Sequence, residues 1–164
     1  MYGVATLLFE NLLELFEKET GIPVVILRLS NVYGFGQWKN GVQRFTDAFS
    51  QGETPEITGD GASTRDYVHI DDVAEAFFAA ANSSVSGIFN IGTGKETSLN
   101  ELFRVVAREF KWEGQPLYHG QADQTERSAL DPRKAKDVFG WEPKVSFEEG
   151  IQKTVEAMKH YGKP

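Results

Sequence analysis

The chain has 164 residues, 24 acidic against 17 basic, a formal charge of −7 and no cysteine. That length fits one domain or a piece of one, and it can bury about two-thirds of its unfolded surface. Disulfides and thiolate metal sites are excluded, a reducing compartment such as the cytoplasm is expected, the acidic balance argues against nonspecific nucleic-acid binding, and no apolar run approaches the roughly 18 residues of a membrane span.

Leu8, Leu12, Leu15 and Phe16 recur at helical spacing, and Gly21 with Pro23 predicts where that helix stops. No basic flank with an apolar core precedes it, so no signal peptide is visible. Val24 to Leu29 is a short apolar run without alternation, the pattern of a strand covered on both faces. Ser30 to Gly41 reads as a turn-rich loop. Val42, Phe45 and Phe49 mark a short helix ending at Gly52, and Glu56 to Thr58 is a predicted strand before the Gly59-Asp60-Gly61 turn. Tyr67 to Ile70 alternates as a strand. Asp71 is expected to cap a helix through Ala81 that packs Val73, Phe77 and Ala80 on one side.

Ile88 to Ile91 is a second buried-type strand, followed by a Gly92-Thr93-Gly94 turn. Ser98 and Glu101 form a capping box for a helix bearing Leu99, Leu102, Phe103, Val106 and Phe110. Pro116 to Tyr118 is one more short strand. Asp131-Pro132 opens a helix that Gly140 stops, and Ser146 with Glu149 opens a last helix carrying Ile151, Val155 and Met158. Strands alternating with helices predict an α/β fold with a largely parallel sheet. No repeat or linker divides residues 1–164, which are read as one unit. A sheet with only two buried-type strands is poorly supported, so further strands are expected from elsewhere.

Several familiar sites fail on inspection. Gly94-Lys95 is followed by Glu96, and Phe89 stands where a P-loop needs its first glycine. Gly92-Thr93-Gly94-Lys95-Glu96-Thr97 lacks the third glycine of a dinucleotide fingerprint, so a plain strand-to-helix turn is the better reading. His69, His119 and His160 show no zinc spacing, and no metal site is expected. What remains is a set of polar residues where loops leave strands: Asn31, Arg44, Arg65, Tyr67, Gln121 and Arg127. Arginine's planar fork suits phosphate oxygens, and two or three converging on one cleft would hold a diphosphate.

Read together, the motifs carry a resemblance. Tyr2-Gly3-Val4-Ala5, Leu27-Arg28-Leu29-Ser30-Asn31-Val32-Tyr33-Gly34, Thr64-Arg65-Asp66-Tyr67-Val68-His69-Ile70-Asp71-Asp72-Val73, Phe89-Asn90-Ile91-Gly92-Thr93-Gly94 and Gly140-Trp141-Glu142-Pro143 follow one another in a known order. The chain resembles the C-terminal half of the NAD-dependent epimerase/dehydratase family, the extended short-chain dehydrogenase/reductases, and is most similar to UDP-sugar 4-epimerases. The resemblance implies the substrate-binding portion of a Rossmann-type fold, an incomplete parallel sheet with flanking helices, whose NAD-binding half with its glycine fingerprint is absent.

It also implies roles. Asn31 would contact the sugar or phosphate, and Gly41, Val42 and Arg44 would lie along the nucleotide. Glu56 to Thr58 would flank the base. Arg65 would grip the diphosphate with Tyr67 in support. Tyr2 takes the position of the catalytic base and cofactor contact. Thr6 stands where the family has lysine one turn later, and Gln121 where it often has a phosphate-binding arginine, with Arg127 as a substitute. The resemblance therefore implies a fragment of an NAD-dependent, nucleotide-sugar 4-epimerase, inactive alone. A dehydratase or reductase of the same superfamily, or a noncatalytic nucleotide-sugar module, are its rivals. Unpaired edges at Val24 to Leu29 and Ile88 to Ile91 are expected to drive self-association.

Overall fold

The computed structural model of the chain describes residues 2–37, 40–120 and 126–162. In chain order its elements are α1 (Tyr2–Thr20), β1 (Val25–Leu29), β2 (Asn31–Tyr33), α2 (Gly41–Ser50), β3 (Glu56–Thr58), β4 (Thr64–Arg65) and β5 (Tyr67–His69). Then come α3 (Ile70–Ala81), β6 (Gly87–Ile91), β7 (Thr97–Ser98), α4 (Leu99–Glu109), β8 (Leu117–His119), α5 (Arg133–Phe139) and α6 (Phe147–Tyr161). The pairs β1–β6, β2–β5 and β3–β8 are parallel, and β4–β7 is antiparallel. This is the expected α/β fold.

The stretch read as loop after Ser30 holds a strand, β2. β1 and β2 are nearly one extended segment that changes neighbour. Leu29 lies opposite Ile91 of β6, Ser30 N donates to the Ile91 carbonyl at 2.9 Å, and Asn31 N donates to the Asp66 carbonyl at 2.8 Å. From there Asn31 runs opposite Tyr67. Gly34 and Gly36, both with positive φ, follow so closely that they hide a three-residue strand in the sequence.

The strands covered on both faces are β2 and β5, not β1. Tyr33 and Tyr67 enter one core with Val42, Phe45, Phe49, Leu102 and Val106. Their neighbours Val32 and Val68 enter the other, with Val73, Phe89, Ile91 and Trp141. That is the two-residue alternation of a strand between two layers. In β1 the residues are half-buried at first and exposed at Arg28 and Leu29. β1 pairs with β6 alone among the described residues. The two runs expected to show free edges thus satisfy one edge each through the other.

Helix α1 departs further from expectation. Its apolar stripe faces away from the rest of the chain: Val4, Leu8, Phe9 and Leu12 are each at least 60% exposed. The side turned to the body carries buried Glu10, whose carboxylate takes the Arg28 guanidinium of β1 at 2.8 and 2.5 Å. These hydrogen bonds hold the Glu10 carboxyl below its ordinary pKa. Phe77, expected to pack with Val73 and Ala80, is instead exposed and borders a hollow of about 360 Å3 with Pro23, Val25 and Leu27.

The helix ends otherwise follow the sequence, with two corrections. Ser98 and Ser146 accept from Glu101 N and Glu149 N, and Gly140 ends α5 at a left-handed φ of 68°. α3, however, is capped by His69 and not by Asp71: the His69 Nδ1 accepts from Asp71 N at 3.2 Å. Burial lowers the His69 pKa, which suits an imidazole acting as acceptor. Asp71 turns instead to Lys153 Nζ at 2.9 Å. α5 begins at Arg133, one residue later than expected, with Asp131 Oδ1 accepting from Arg133 N.

Candidate nucleotide-facing site

Where a strand changes neighbours its flanking strands splay, and backbone N–H groups at the fork lose their ladder partners. In parallel sheets such a crevice, at the carboxyl ends of the strands, is where ligands bind. Here the fork lies at Ser30–Asn31, between the end of β6 and the β4–β5 junction.

Asp66 fills its floor. The residue is 1% exposed, and its carboxylate accepts from Thr93 N at 2.9 Å, Thr93 Oγ1 at 2.6 Å, Gly94 N at 3.1 Å and Leu130 N at 3.1 Å. One side chain therefore ties together the β4–β5 junction, the turn after β6 and the segment entering α5. Gly92 is needed for that approach, since a Cβ there would sit 2.5 Å from Asp66 Oδ2. The Gly92-Thr93-Gly94 turn is a nest for an anion, and the anion it holds is the protein's own carboxylate.

Around this floor the candidate residues fall into groups. Asn31 opens β2 exposed, opposite Tyr67 across the parallel pair. Tyr67 is 5% exposed, so its ring is core, while its hydroxyl faces Gly41 at the start of α2, where a Cβ would lie 3.4 Å from it. Burial raises the Tyr67 pKa and the nearby Arg65 charge opposes that rise. Arg65, on β4, is half-buried and donates to the Thr64 carbonyl at 2.8 Å and to the carboxylate of Glu126. The β2, β5 and β4 ends and the α2 N-terminus thus bring Asn31, Tyr67, Arg65 and Gly41 to one edge.

The others lie elsewhere. Val42 has its side chain in the core at 1% exposure, leaving only its backbone to a ligand. Arg44 borders a separate hollow of about 340 Å3 with Glu53, Thr54 and Glu56. Thr58 is exposed at the end of β3, opposite His119. Arg127 is tied to Glu96, Nε to Oε2 at 2.8 Å, and Thr64 Oγ1 donates to the same carboxylate, together holding Glu96 below the usual carboxylate range. Thr6 is exposed on α1, Tyr2 stands in its first turn with its side chain outside the described residues, and Gln121 lies outside them as well. Sequence reasoning missed Asp66, Glu96 and Glu126, which act through partners 27 to 64 positions away.

A family model described as GDP-mannose 4,6 dehydratase matches residues 1–154. The chain belongs to the NAD-dependent epimerase/dehydratase family. It is 42% identical over 137 residues to the UDP-glucose 4-epimerase of Mycolicibacterium smegmatis, covering 80% of this chain and 44% of that protein. Among solved structures, the UDP-glucose 4-epimerase of Thermotoga maritima with UDP-glucose superposes with a TM-score of 0.91 at 39% identity, over 98% of this chain and 53% of that one. The Thermus thermophilus UDP-glucose 4-epimerase in complex with NAD gives 0.81 at 33% identity, over 92% and 51%. This epimerase/dehydratase chain spans about half the length of the relatives it matches.

Family membership raises the question of NAD, and the Gly92-Thr93-Gly94 turn does not fit a dinucleotide's pyrophosphate. The N–H groups of Thr93 and Gly94, in the turn nearest to a phosphate cradle, are occupied by Asp66. A pyrophosphate there would meet a buried carboxylate of like charge.

Proposed function

We propose that residues 1–164 form the nucleotide-sugar-holding portion of a UDP-sugar 4-epimerase, with NAD held by polypeptide outside these residues. The observation that carries this reading is the fork at Ser30–Asn31, which gathers Asn31, Arg65, Tyr67 and Gly41 at one edge above Asp66. Arg65 supplies a planar cationic fork for a diphosphate. Gly41, bare of a side chain, lets the α2 backbone approach the Tyr67 hydroxyl, and Asn31 offers an amide that can both donate to and accept from a sugar hydroxyl or phosphate oxygen.

By resemblance to the family, Tyr2 takes the position of the residue that exchanges a proton with the sugar. A phenol with pKa about 10 needs a neighbouring cation to ionise near neutral pH, and Thr6, one turn along α1, supplies no charge. These 164 residues are therefore expected to bind a UDP-sugar without turning it over. That same threonine favours a second reading, a nucleotide-sugar-binding module without catalysis.

Calorimetric titration of the chain tests the shared part of both readings. Binding of UDP with no measurable binding of NAD is the expected result, and NAD binding would show that the cofactor portion had been misplaced.

The outward apolar face of α1 supports self-association. Contiguous exposed apolar surface of this kind is rare on a monomer. Light scattering is expected to return at least twice the monomer mass at micromolar concentration, and a monomer across that range would reject the idea.

A further inference from the structure

The arginine at the fork, Arg65 of β4, is already answered by Glu126 from another element, as Arg127 beyond the fork is by Glu96. Glu126 is the instructive one. Two main-chain bonds hold it beside β4, with Thr64 N donating to its carbonyl at 2.8 Å and its own N donating to Ser63 Oγ at 3.4 Å. Its carboxylate then reaches the guanidinium of Arg65, the group that the reading above assigns to the substrate's diphosphate. The side chain of Glu126 is 69% exposed and that of Arg65 34%. An ion pair so open to water is weak and easily exchanged.

We propose that Glu126 is a displaceable counter-ion, which neutralises Arg65 in the empty site and is exchanged for a phosphate group when a nucleoside diphosphate binds. The inference rests on the nucleotide-sugar reading and goes one step further, to what sets affinity. A diphosphate brings more charge and more acceptor oxygens than a carboxylate, so it wins the exchange for the guanidinium. The cost of expelling Glu126 is subtracted from the observed binding. Because Glu126 stays anchored through its backbone to Thr64 and Ser63, only its side chain has to move in the exchange.

The test is a double-mutant cycle on the full 164-residue chain, with UDP and uridine titrated by calorimetry into wild type, E126Q, R65A and the double variant. E126Q is expected to bind UDP about twofold to fivefold more tightly, the range a surface ion pair commands. That gain should vanish in the R65A background, and uridine, which has no phosphate, should show no gain at all. UDP binding to wild type with no tightening in E126Q overturns the counter-ion. Tightening that persists in R65A overturns it too, since the effect would then be general charge. No UDP binding to any of the four proteins instead overturns the nucleotide reading beneath it, and the proposal with it.

Discussion

Asp66→Ala is expected to lower the stability of the chain by about 3–5 kcal/mol, the largest effect of any single polar substitution at the site. The carboxylate is buried and accepts from three backbone N–H groups and one hydroxyl, drawn from two segments distant in sequence. Alanine leaves those N–H groups without acceptors in a place water enters poorly. Each orphaned donor costs about 1–3 kcal/mol, and lost order at the fork adds to that. Against a typical total stability of about 5–15 kcal/mol the loss is severe. At roughly 2–4 °C per kcal/mol for a chain of this size, thermal unfolding should move down by about 10 °C or more. Asp66→Asn keeps the shape but sets an amide NH2 against an N–H, so it should fall between the two. Circular dichroism during urea and thermal unfolding measures all three proteins. A change under about 1 kcal/mol for alanine would mean that the fork is held by something other than this carboxylate.

Removing the cation above that floor should act on ligand and not on fold. Arg65→Ala is expected to weaken UDP binding about thirtyfold or more, equivalent to about 2 kcal/mol, the value of a charge-assisted contact to phosphate. Stability should barely change, because the Arg65–Glu126 pair is solvent-exposed and worth at most about 1 kcal/mol. Arg65→Lys should recover only part of the affinity, as an ammonium keeps the charge but loses the planar two-pronged geometry. Uridine supplies the control: its affinity should be the same in all three proteins if Arg65 meets phosphate. Equal losses for uridine and UDP would instead place the arginine at the base or ribose.

These two predictions separate neighbours in sequence into different tasks. Arg65 and Asp66 adjoin, yet one faces solvent and the other is sealed beneath it. Strand alternation sends successive side chains to opposite faces. The cation proposed to meet the ligand and its structural footing are thus coded in two letters. The Arg65-Asp66-Tyr67 triplet was visible in the sequence as part of a motif, but only the partners of Asp66 show which of the three is the anchor.

Local chemistry was legible from the sequence alone wherever cause and effect lie within a few residues. The serine caps of α4 and α6, the glycine stops at Gly21 and Gly140, the apolar faces of α2 and α4 and the alternation of helix with strand are decided by side chains three or four positions apart. Family membership was legible for a different reason, since many short motifs in a fixed order are specific together. Distance is what hid the rest. β2 exists because Ser30 and Asn31 hand the strand from β6 to β5, a pairing across 36 to 61 positions that no local pattern announces. The apolar stripe of α1 has helical spacing, but spacing cannot say whether that face meets its own chain. In the fold the opposite side, with Glu10 on Arg28, meets the body and the stripe faces outward. Likewise, the Gly92-Thr93-Gly94 turn has the form of a phosphate nest, and only the fold brings Asp66 into it. Amino-acid order thus determined the elements, their ends and the family. The tertiary structure decided which charges meet, because an ion pair or a buried carboxylate depends on partners that the chain brings together only after its strands have found their neighbours.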